Sequence, residues 1–110
     1  MEKTIVLNRL AALSQETRLD ILRFLVRMGP DGAIAGRIGE ELGQGSATLA
    51  FHLNILTAAG LLMREKRGRQ NLYRANISAV HALSAYLLEN CCAGAEEESA
   101  EAPVPFVNQA

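Results

Sequence analysis

Two short apolar patterns separated by a glycine-containing turn, within residues 33–60, constrain the fold of this chain most. The first pattern ends at Leu42, and Gly43 follows it as a helix stop. Ser46 then opens a second pattern and is predicted to cap its helix. Three leucines share one face of that second helix: Leu49, Leu53 and Leu56. Two helices joined by so tight a turn indicate a helix-turn-helix.

The opposite face of the second helix carries small and polar side chains and no Arg or Lys. Alanine and phenylalanine can read thymine methyl groups, and hydroxyl and amide groups can bond to bases or phosphates. The predicted DNA contacts from the turn and this helix are Gln44, Ser46, Ala47, Thr48, Ala50, Phe51 and Asn54. The alternative for Phe51 is packing against a neighbouring element. His52, at the border of the leucine face, is predicted to be a structural histidine that bonds to a neighbouring helix.

A basic hairpin is predicted directly after this helix. Leu62–Arg67 and Gln70–Ala75 flank Gly68-Arg69, which reads as two strands with a glycine turn. Five of the chain's 11 basic side chains lie between residues 64 and 74. Arg67 and Arg69 are therefore expected to meet phosphates or the minor groove; the alternative is a solvated hairpin tip.

The residues of this region resemble those of a known family. Residues 51–62 read Phe-His-Leu-Asn-Ile-Leu-Thr-Ala-Ala-Gly-Leu-Leu, and a Gly-Arg followed by Tyr-Arg lies just beyond them. This pattern is similar to the recognition helix and wing of ArsR/SmtB winged-helix repressors, over roughly residues 5–92. The resemblance implies a mainly α, dimeric winged helix-turn-helix with about five helices and one β-hairpin. It also implies a repressor of double-stranded operator DNA rather than an enzyme. Ala50 stands where the family usually has Ser.

The last predicted helix, opened by Asn76, has more apolar surface than one small core can cover, which favours a homodimer through the first and last helices. It is expected to run on to Gly94 and to end in two adjacent thiols, Cys91 and Cys92. The Glu-Asn-Cys-Cys sequence at residues 89–92 resembles an arsenic-responsive subset of the family. Trivalent arsenic is thiophilic, so arsenite, antimonite or methylarsenite is the expected inducer. A thiol redox switch and two helix-end cysteines without a role remain as alternatives.

A zinc site is not favoured by this sequence. Ala79 stands where zinc sensors of the family carry an acid, and His81 lies ten residues, or ~15 Å along a helix, from Cys91. No constellation of catalytic residues is visible, and no resident cofactor is required.

The composition predicts one domain at residues 1–92 and an acidic, disordered tail at residues 93–110. Of the 12 acidic side chains, four lie in the tail, where no basic residue occurs. Neither a signal peptide nor a membrane span is visible, so a cytoplasmic protein with reduced thiols is expected.

Overall fold

The computed structural model describes residues 1–92 of the chain; the predicted tail at residues 93–110 lies outside the described residues. The helices are α1 (Lys3–Leu13), α2 (Glu16–Met28), α3 (Ala35–Leu42), α4 (Ser46–Ala58) and α5 (Ile77–Leu87). The strands are β1 (Ala33–Ile34), β2 (Leu62–Arg67) and β3 (Gln70–Ala75), and a short 3-10 helix spans Gly29–Asp31. The predicted winged helix-turn-helix is confirmed. Strand β1 was not predicted, because two residues carry too little pattern to be recognised.

The sheet is antiparallel, with strand order β1-β3-β2. The hairpin pairs Leu62 with Ala75 at its base and Arg67 with Gln70 at its tip, as the sequence predicted. Strand β1 adds Ala33 opposite Tyr73 at the other edge of β3. The sheet thereby connects the start of α3 to the wing, which fixes the wing beside the helix-turn-helix.

The core lies where α2, α3 and α4 meet. Its side chains with under 2% exposure are Ile21, Leu25, Ile38, Leu53, Leu56 and Leu61. Burying each such side chain stabilises the fold by about 1.5–3 kcal/mol. Because three of the six belong to α4 or directly follow it, the orientation of α4 is determined by the core.

The cap of α4 differs from the predicted one, and α2 is capped by a glutamine. Gln15 rather than Ser14 caps α2: its Oε1 accepts a bond from the Arg18 amide at 2.9 Å. The Ser14 hydroxyl instead donates to the Ala11 carbonyl at 2.9 Å, closing α1. Gly45, and not Ser46, is the cap of α4, since the Leu49 amide already bonds to the Gly45 carbonyl at 2.9 Å.

The described residues include no helix long and apolar enough to cross a membrane.

Candidate nucleic-acid interface and thiol pair

The outer face of α4 is open to solvent. Exposed residues on it are Ser46, Ala47, Thr48, Ala50, Phe51 and Asn54, and Gln44 in the preceding turn is half-buried. Phe51 is 60% exposed, so the alternative that it packs against a neighbouring element is wrong. Its ring meets the His52 ring edge-on, with 5.3 Å between centroids. The residues of the turn and α4 that are predicted to contact DNA are therefore exposed or half-buried, and they place small and polar groups beside a projecting aromatic ring.

The inner border of α4 is fixed by an arginine that the sequence did not single out. His52 is only 8% exposed, and its Nδ1 lies 3.1 Å from Nη1 of Arg18 on α2. A guanidinium only donates, so Nδ1 accepts and the imidazole is neutral. Burial, and then the charge of Arg18, lowers the pKa of His52 below its ordinary value. The prediction of a structural histidine bonded to a neighbouring helix is confirmed.

Two arginines also connect α1 to its neighbours: Arg18 connects it to α2, and Arg9 connects it to the C-terminus of α4. Arg18 Nε donates to the Ala12 carbonyl of α1 at 2.7 Å. Arg9 of α1 donates from Nε to the carbonyl of Ala59, the C-terminal cap of α4, at 2.9 Å. A cation at a helix C-terminus satisfies a free carbonyl and opposes the helix dipole. Helix α4 is thus tied to α1 at its C-terminus directly and along its side through α2.

The wing presents two exposed arginines in different settings. Gly68 has a φ of 61°, and Arg69 follows it in the turn. Arg67 Nε donates to a Glu65 carboxylate oxygen at 3.0 Å, and Arg74 Nη2 lies 2.9 Å from the other oxygen. Hydrogen bonds from Arg67 and Arg74 lower the pKa of Glu65. The two arginines at the tip therefore differ: Arg67 is held by Glu65, whereas Arg69 has no ion-pair partner among residues 1–92.

The two cysteines lie beyond the last helix, which corrects the expectation that they end it. Helix α5 stops at Leu87, and Asn90 adopts a φ of 63°, a left-handed conformation that asparagine tolerates and that breaks a helix. The Cys91 amide donates to the Leu88 carbonyl at 2.8 Å, which closes a turn. The prediction that the last helix ends at Gly94 is wrong, because the left-handed conformation of Asn90 already prevents the helix from continuing to Gly94.

The thiols of Cys91 and Cys92 are exposed and in contact, with Sγ atoms 3.4 Å apart. Both cysteines are free, and no disulfide joins them in this structure. The hydrogen bond with Cys92, and then its charge, raises the pKa of the Cys91 thiol. Within residues 1–92 no three His, Cys, Asp or Glu side chains are grouped to hold a metal ion. The arrangement therefore offers two sulfur ligands and no third protein ligand from the described part of the chain.

Large apolar side chains are exposed along α1 and at both ends of α5. They are Ile5, Leu7 and Leu10 on α1, Ile77 and Leu87 on α5, and Leu88 directly after it. Leu7 and Leu87 are each 58% exposed. These helices carry the surface that the sequence predicted to need a partner.

Comparisons with known proteins agree with this architecture. A family model described as a helix-turn-helix domain matches residues 13–65. An ArsR-like transcriptional regulator from Rhodococcus sp. RHA1 is 33% identical, with 89% of each chain covered and a TM-score of 0.70. HlyU from Vibrio cholerae N16961 is 26% identical over 84% of this chain and 99% of its own, with a TM-score of 0.66.

A third solved structure shows the same fold at lower identity. It is the homodimeric winged helix-turn-helix DNA-binding domain of Mb0332 from Mycobacterium bovis, a possible ArsR-family regulator. It is 22% identical over 79% of this chain and 81% of its own, with a TM-score of 0.63. No curated protein matches the chain.

Proposed function

This chain belongs to the ArsR family of transcriptional regulators, which bind DNA and are not enzymes, and on that premise we propose that it is a homodimeric repressor induced by trivalent arsenic. In this proposal the outer face of α4 and the wing hold an operator. Binding of arsenite, antimonite or methylarsenite to Cys91 and Cys92 releases it. The proposal that the inducer is trivalent arsenic rests on one observation, the contact of two exposed, adjacent thiols whose Sγ atoms are 3.4 Å apart. The protein acts in the cytoplasm, where thiols stay reduced.

DNA readout is divided between the two exposed elements. Helix α4 has no basic side chain, so its contacts are thymine methyl packing by Ala47, Ala50 and Phe51, with hydrogen bonds from Ser46, Thr48 and Asn54. Gln44 lies in the turn that enters the helix. The wing supplies the phosphate or minor-groove contacts through Arg67 and Arg69. Affinity should therefore depend on the wing, and sequence preference on α4.

Dimerisation follows from the exposed apolar surface of α1 and α5. A single chain would leave Leu7, Leu87 and Leu88 in water, and a second copy can cover them. The Mycobacterium bovis relative with this fold is a homodimer. Two recognition helices on successive turns of DNA must be about 34–36 Å apart, so the dimer interface sets operator binding.

The thiol pair suits an ion or molecule that takes two soft ligands. Methylarsenite, CH3As(OH)2, reacts with two thiols: two As–S bonds replace the two As–O bonds, and each hydroxyl leaves as water with a thiol proton, so arsenic stays three-coordinate. Arsenite keeps one hydroxide or takes a further thiol from elsewhere. Zinc requires four ligands, and the pair supplies two. Methylarsenite is therefore expected to be at least as effective as arsenite or antimonite, and zinc inert.

Induction works through the position of the pair beside the dimer surface. Cys91 is bonded through its amide to Leu88, whose side chain belongs to the exposed apolar surface. Chelation restricts the turn that contains Asn90 and thereby alters how Leu87 and Leu88 meet the second copy. A coupling of about 1–3 kcal/mol is sufficient to change operator affinity 5- to 150-fold.

The test is release of fluorescent promoter DNA, followed by anisotropy, as arsenite, antimonite, methylarsenite or zinc is added. Cys91→Ser and Cys92→Ser are each expected to abolish release while leaving affinity for DNA unchanged. The chain has only 2 cysteines, so each variant leaves one thiol and no other can replace the pair. A normal response from either variant would exclude the dithiol as the sensor.

The same 3.4 Å contact favours one second candidate, a redox-responsive repressor in which peroxide joins the two sulfurs. One thiolate would attack peroxide to give a sulfenic acid and hydroxide, and the second thiol would then displace the sulfenic hydroxyl as water to form the disulfide. The raised pKa of Cys91 disfavours this candidate, since oxidation requires a thiolate. Release by peroxide should accelerate about tenfold per pH unit below the thiol pKa. In chelation the thiol protons leave with the arsenic hydroxyls as water, so no net proton is released. The chelation equilibrium should therefore hardly change with pH over the same range.

A further inference from the structure

Glu65 lies where the wing loses its third strand. Strand β1 pairs with β3 at Tyr73 and Leu72, and Leu72 is also the partner of Glu65 on β2. Beyond that pair, the hairpin in the described part of the chain has two strands, and Arg67 lies two positions further out, paired with Gln70. A two-stranded ribbon is only marginally stable by itself. The position of Arg67 therefore depends on contacts that connect the wing tip to the body of the domain.

Three polar contacts in series connect the wing tip to the end of α2. Arg74 Nε donates to the Pro30 carbonyl at 2.9 Å, in the 3-10 helix that follows α2. Arg74 Nη2 lies 2.9 Å from one oxygen of Glu65, and the other oxygen accepts from Arg67 Nε at 3.0 Å. The stem of Arg74 is also held, because a Cβ on Gly32 would lie only 2.9 Å from Arg74 Cγ. Glu65 is thus the link through which an arginine fixed to the body holds an arginine at the tip.

The bond to Glu65 leaves the far end of the Arg67 guanidinium free. It uses Nε, and among residues 1–92 no group bonds to Nη1 or Nη2 of Arg67. A phosphate accepts two parallel bonds from such a planar group. The Arg67 side chain is 56% exposed, so these donors are accessible to a ligand outside the chain. Glu65 therefore orients the guanidinium without occupying its terminal nitrogens.

The charge of the wing makes an acid at this position unfavourable for DNA binding unless it has such a role. Glu65 is the one acidic residue between residues 62 and 75, where five residues are basic: Arg64, Lys66, Arg67, Arg69 and Arg74. Hydrogen bonds from Arg67 and then Arg74 hold the pKa of Glu65 below its ordinary value, so the carboxylate is ionised at neutral pH. Because side chains alternate along a strand, Arg64 and Lys66 project from the opposite face of the hairpin. A carboxylate repels the phosphates of DNA, so Glu65 can strengthen binding only through the arginines that it holds.

We propose that Glu65 is a positioning residue for operator binding: its carboxylate directs the terminal nitrogens of Arg67 to one phosphate of the DNA backbone. The inference rests on the proposed function, in which the wing contacts DNA, and adds how the wing is aimed. Arg69 has no such partner within residues 1–92, so it contributes charge without a fixed direction. Loss of the Glu65 charge therefore weakens operator binding, although it makes the wing more basic.

A double-mutant cycle on promoter affinity, followed by anisotropy, tests this coupling. Glu65→Gln keeps the size of the side chain and removes its charge and one acceptor. It should weaken promoter binding about threefold and reduce the slope of log K against log salt by up to about one. In Arg67→Ala, the same change should strengthen promoter binding about twofold, because only the repulsion between carboxylate and phosphates is then removed. In Arg69→Ala, it should weaken binding as it does in the wild type.

Glu40→Gln is the matched control. Glu40 lies on α3 and has no ion-pair partner among residues 1–92, so this change removes the same charge without releasing an arginine. It should weaken promoter binding neither in the wild type nor in Arg67→Ala. The urea midpoints of Glu65→Gln and the wild type should agree closely, because exposed ion pairs contribute little to stability. An equal effect of Glu65→Gln on promoter affinity in the wild type and in Arg67→Ala, of either sign, would overturn the proposal, as would a large loss of stability.

A measurement without DNA separates this inference from the proposed function. The pKa of the Glu65 carboxyl, followed by NMR in the full chain, should lie below that of an ordinary glutamate and should rise in Arg67→Ala. If it does not rise, Glu65 does not hold Arg67, and the inference fails while DNA binding stands. If the wild type binds no promoter DNA, the proposed function and the operator role of Glu65 both fail, and the titration still decides whether the carboxylate holds Arg67.

Discussion

Replacing Arg18 by methionine is the sharpest test of how the recognition helix is held. Arg18 donates to the Ala12 carbonyl at 2.7 Å and to His52 Nδ1 at 3.1 Å, and so joins α1, α2 and α4 through one side chain. Methionine retains an apolar stem of similar length and removes both bonds. The perturbation therefore separates hydrogen bonding from packing.

The expected magnitude follows from the two bonds and their partial burial. A hydrogen bond from a charged group contributes about 1.5–3 kcal/mol net, and a half-buried guanidinium lies at the lower part of that range because solvent screens it. Ala12 and His52 are buried, so their acceptors are left without a partner. The free energy of unfolding should fall by about 2–4 kcal/mol, which for a domain of this size lowers Tm by about 10–25 °C.

Urea denaturation at one fixed protein concentration measures this loss, since the stability of a dimer depends on concentration. Arg23→Met is the matched control: Arg23 lies on the same helix, is exposed, and forms no side-chain bond within residues 1–92. It should change stability by less than about 0.5 kcal/mol. If Arg18→Met does not fold, Arg18→Lys, which keeps the charge and one donor, should be intermediate. Equal losses from Arg18→Met and Arg23→Met would refute the assigned role of the two bonds.

Three further predictions concern the wing arginines, the pH dependence of stability, and the two glycines of α3. Arg67→Ala and Arg69→Ala should each weaken binding to all DNA sequences and reduce the slope of log K against log salt by about one, as anisotropy at several salt concentrations would show. The free energy of unfolding should fall as the pH drops below 6.5, the ordinary pKa of histidine. Below that pH the unfolded chain binds a proton at His52, whereas the folded chain, in which the pKa of His52 is lowered, does not yet bind it. His52→Asn, which keeps an acceptor in the same place, should flatten that fall in urea midpoints between pH 5 and pH 8. Gly36→Ala should raise the free energy of unfolding by about 0.5–1 kcal/mol in the same assay, whereas Gly39→Ala should gain less or lose stability, since its Cβ would crowd a carbonyl oxygen at 3.1 Å.

The sequence predicted the elements whose cause is local. The leucines of α4 recur at helical spacing, and two strand-like segments flank the glycine turn at Gly68-Arg69, so the helix and the wing were both predicted, the wing with the correct bounds. The burial of His52 followed from its angle to the leucine face. Each of these properties is set by residues within one or two turns of one another.

Features that depend on distant residues were not predictable in this way. Arg9 and Ala59 are 50 positions apart, and Arg18 and His52 are 34 apart, so no periodic pattern connects them. The end of α5 was misjudged because Gly94 was taken as the stop, whereas Asn90 already adopts a left-handed conformation. The pairing of Glu65 with Arg67 and Arg74 depends on the strand register, which places all three on one face of the hairpin.

On the proposed function, the bond from Arg9 to Ala59 is a direct route from the proposed dimer surface to the proposed DNA surface. Arg9 lies on α1 between exposed apolar residues, and it holds the C-terminus of α4 at 2.9 Å. If inducer binding moves α1 relative to its partner, this bond carries the movement to the recognition helix. The operator affinity of the inducer-free protein divided by that of the methylarsenite-bound protein measures induction. Arg9→Met should bring this ratio toward one, because the inducer-free and inducer-bound states then no longer orient α4 differently. If the bond serves only as a helix cap, both affinities should fall equally and the ratio should stay unchanged. Measuring both affinities on the same promoter DNA decides between a transmitting bond and a cap.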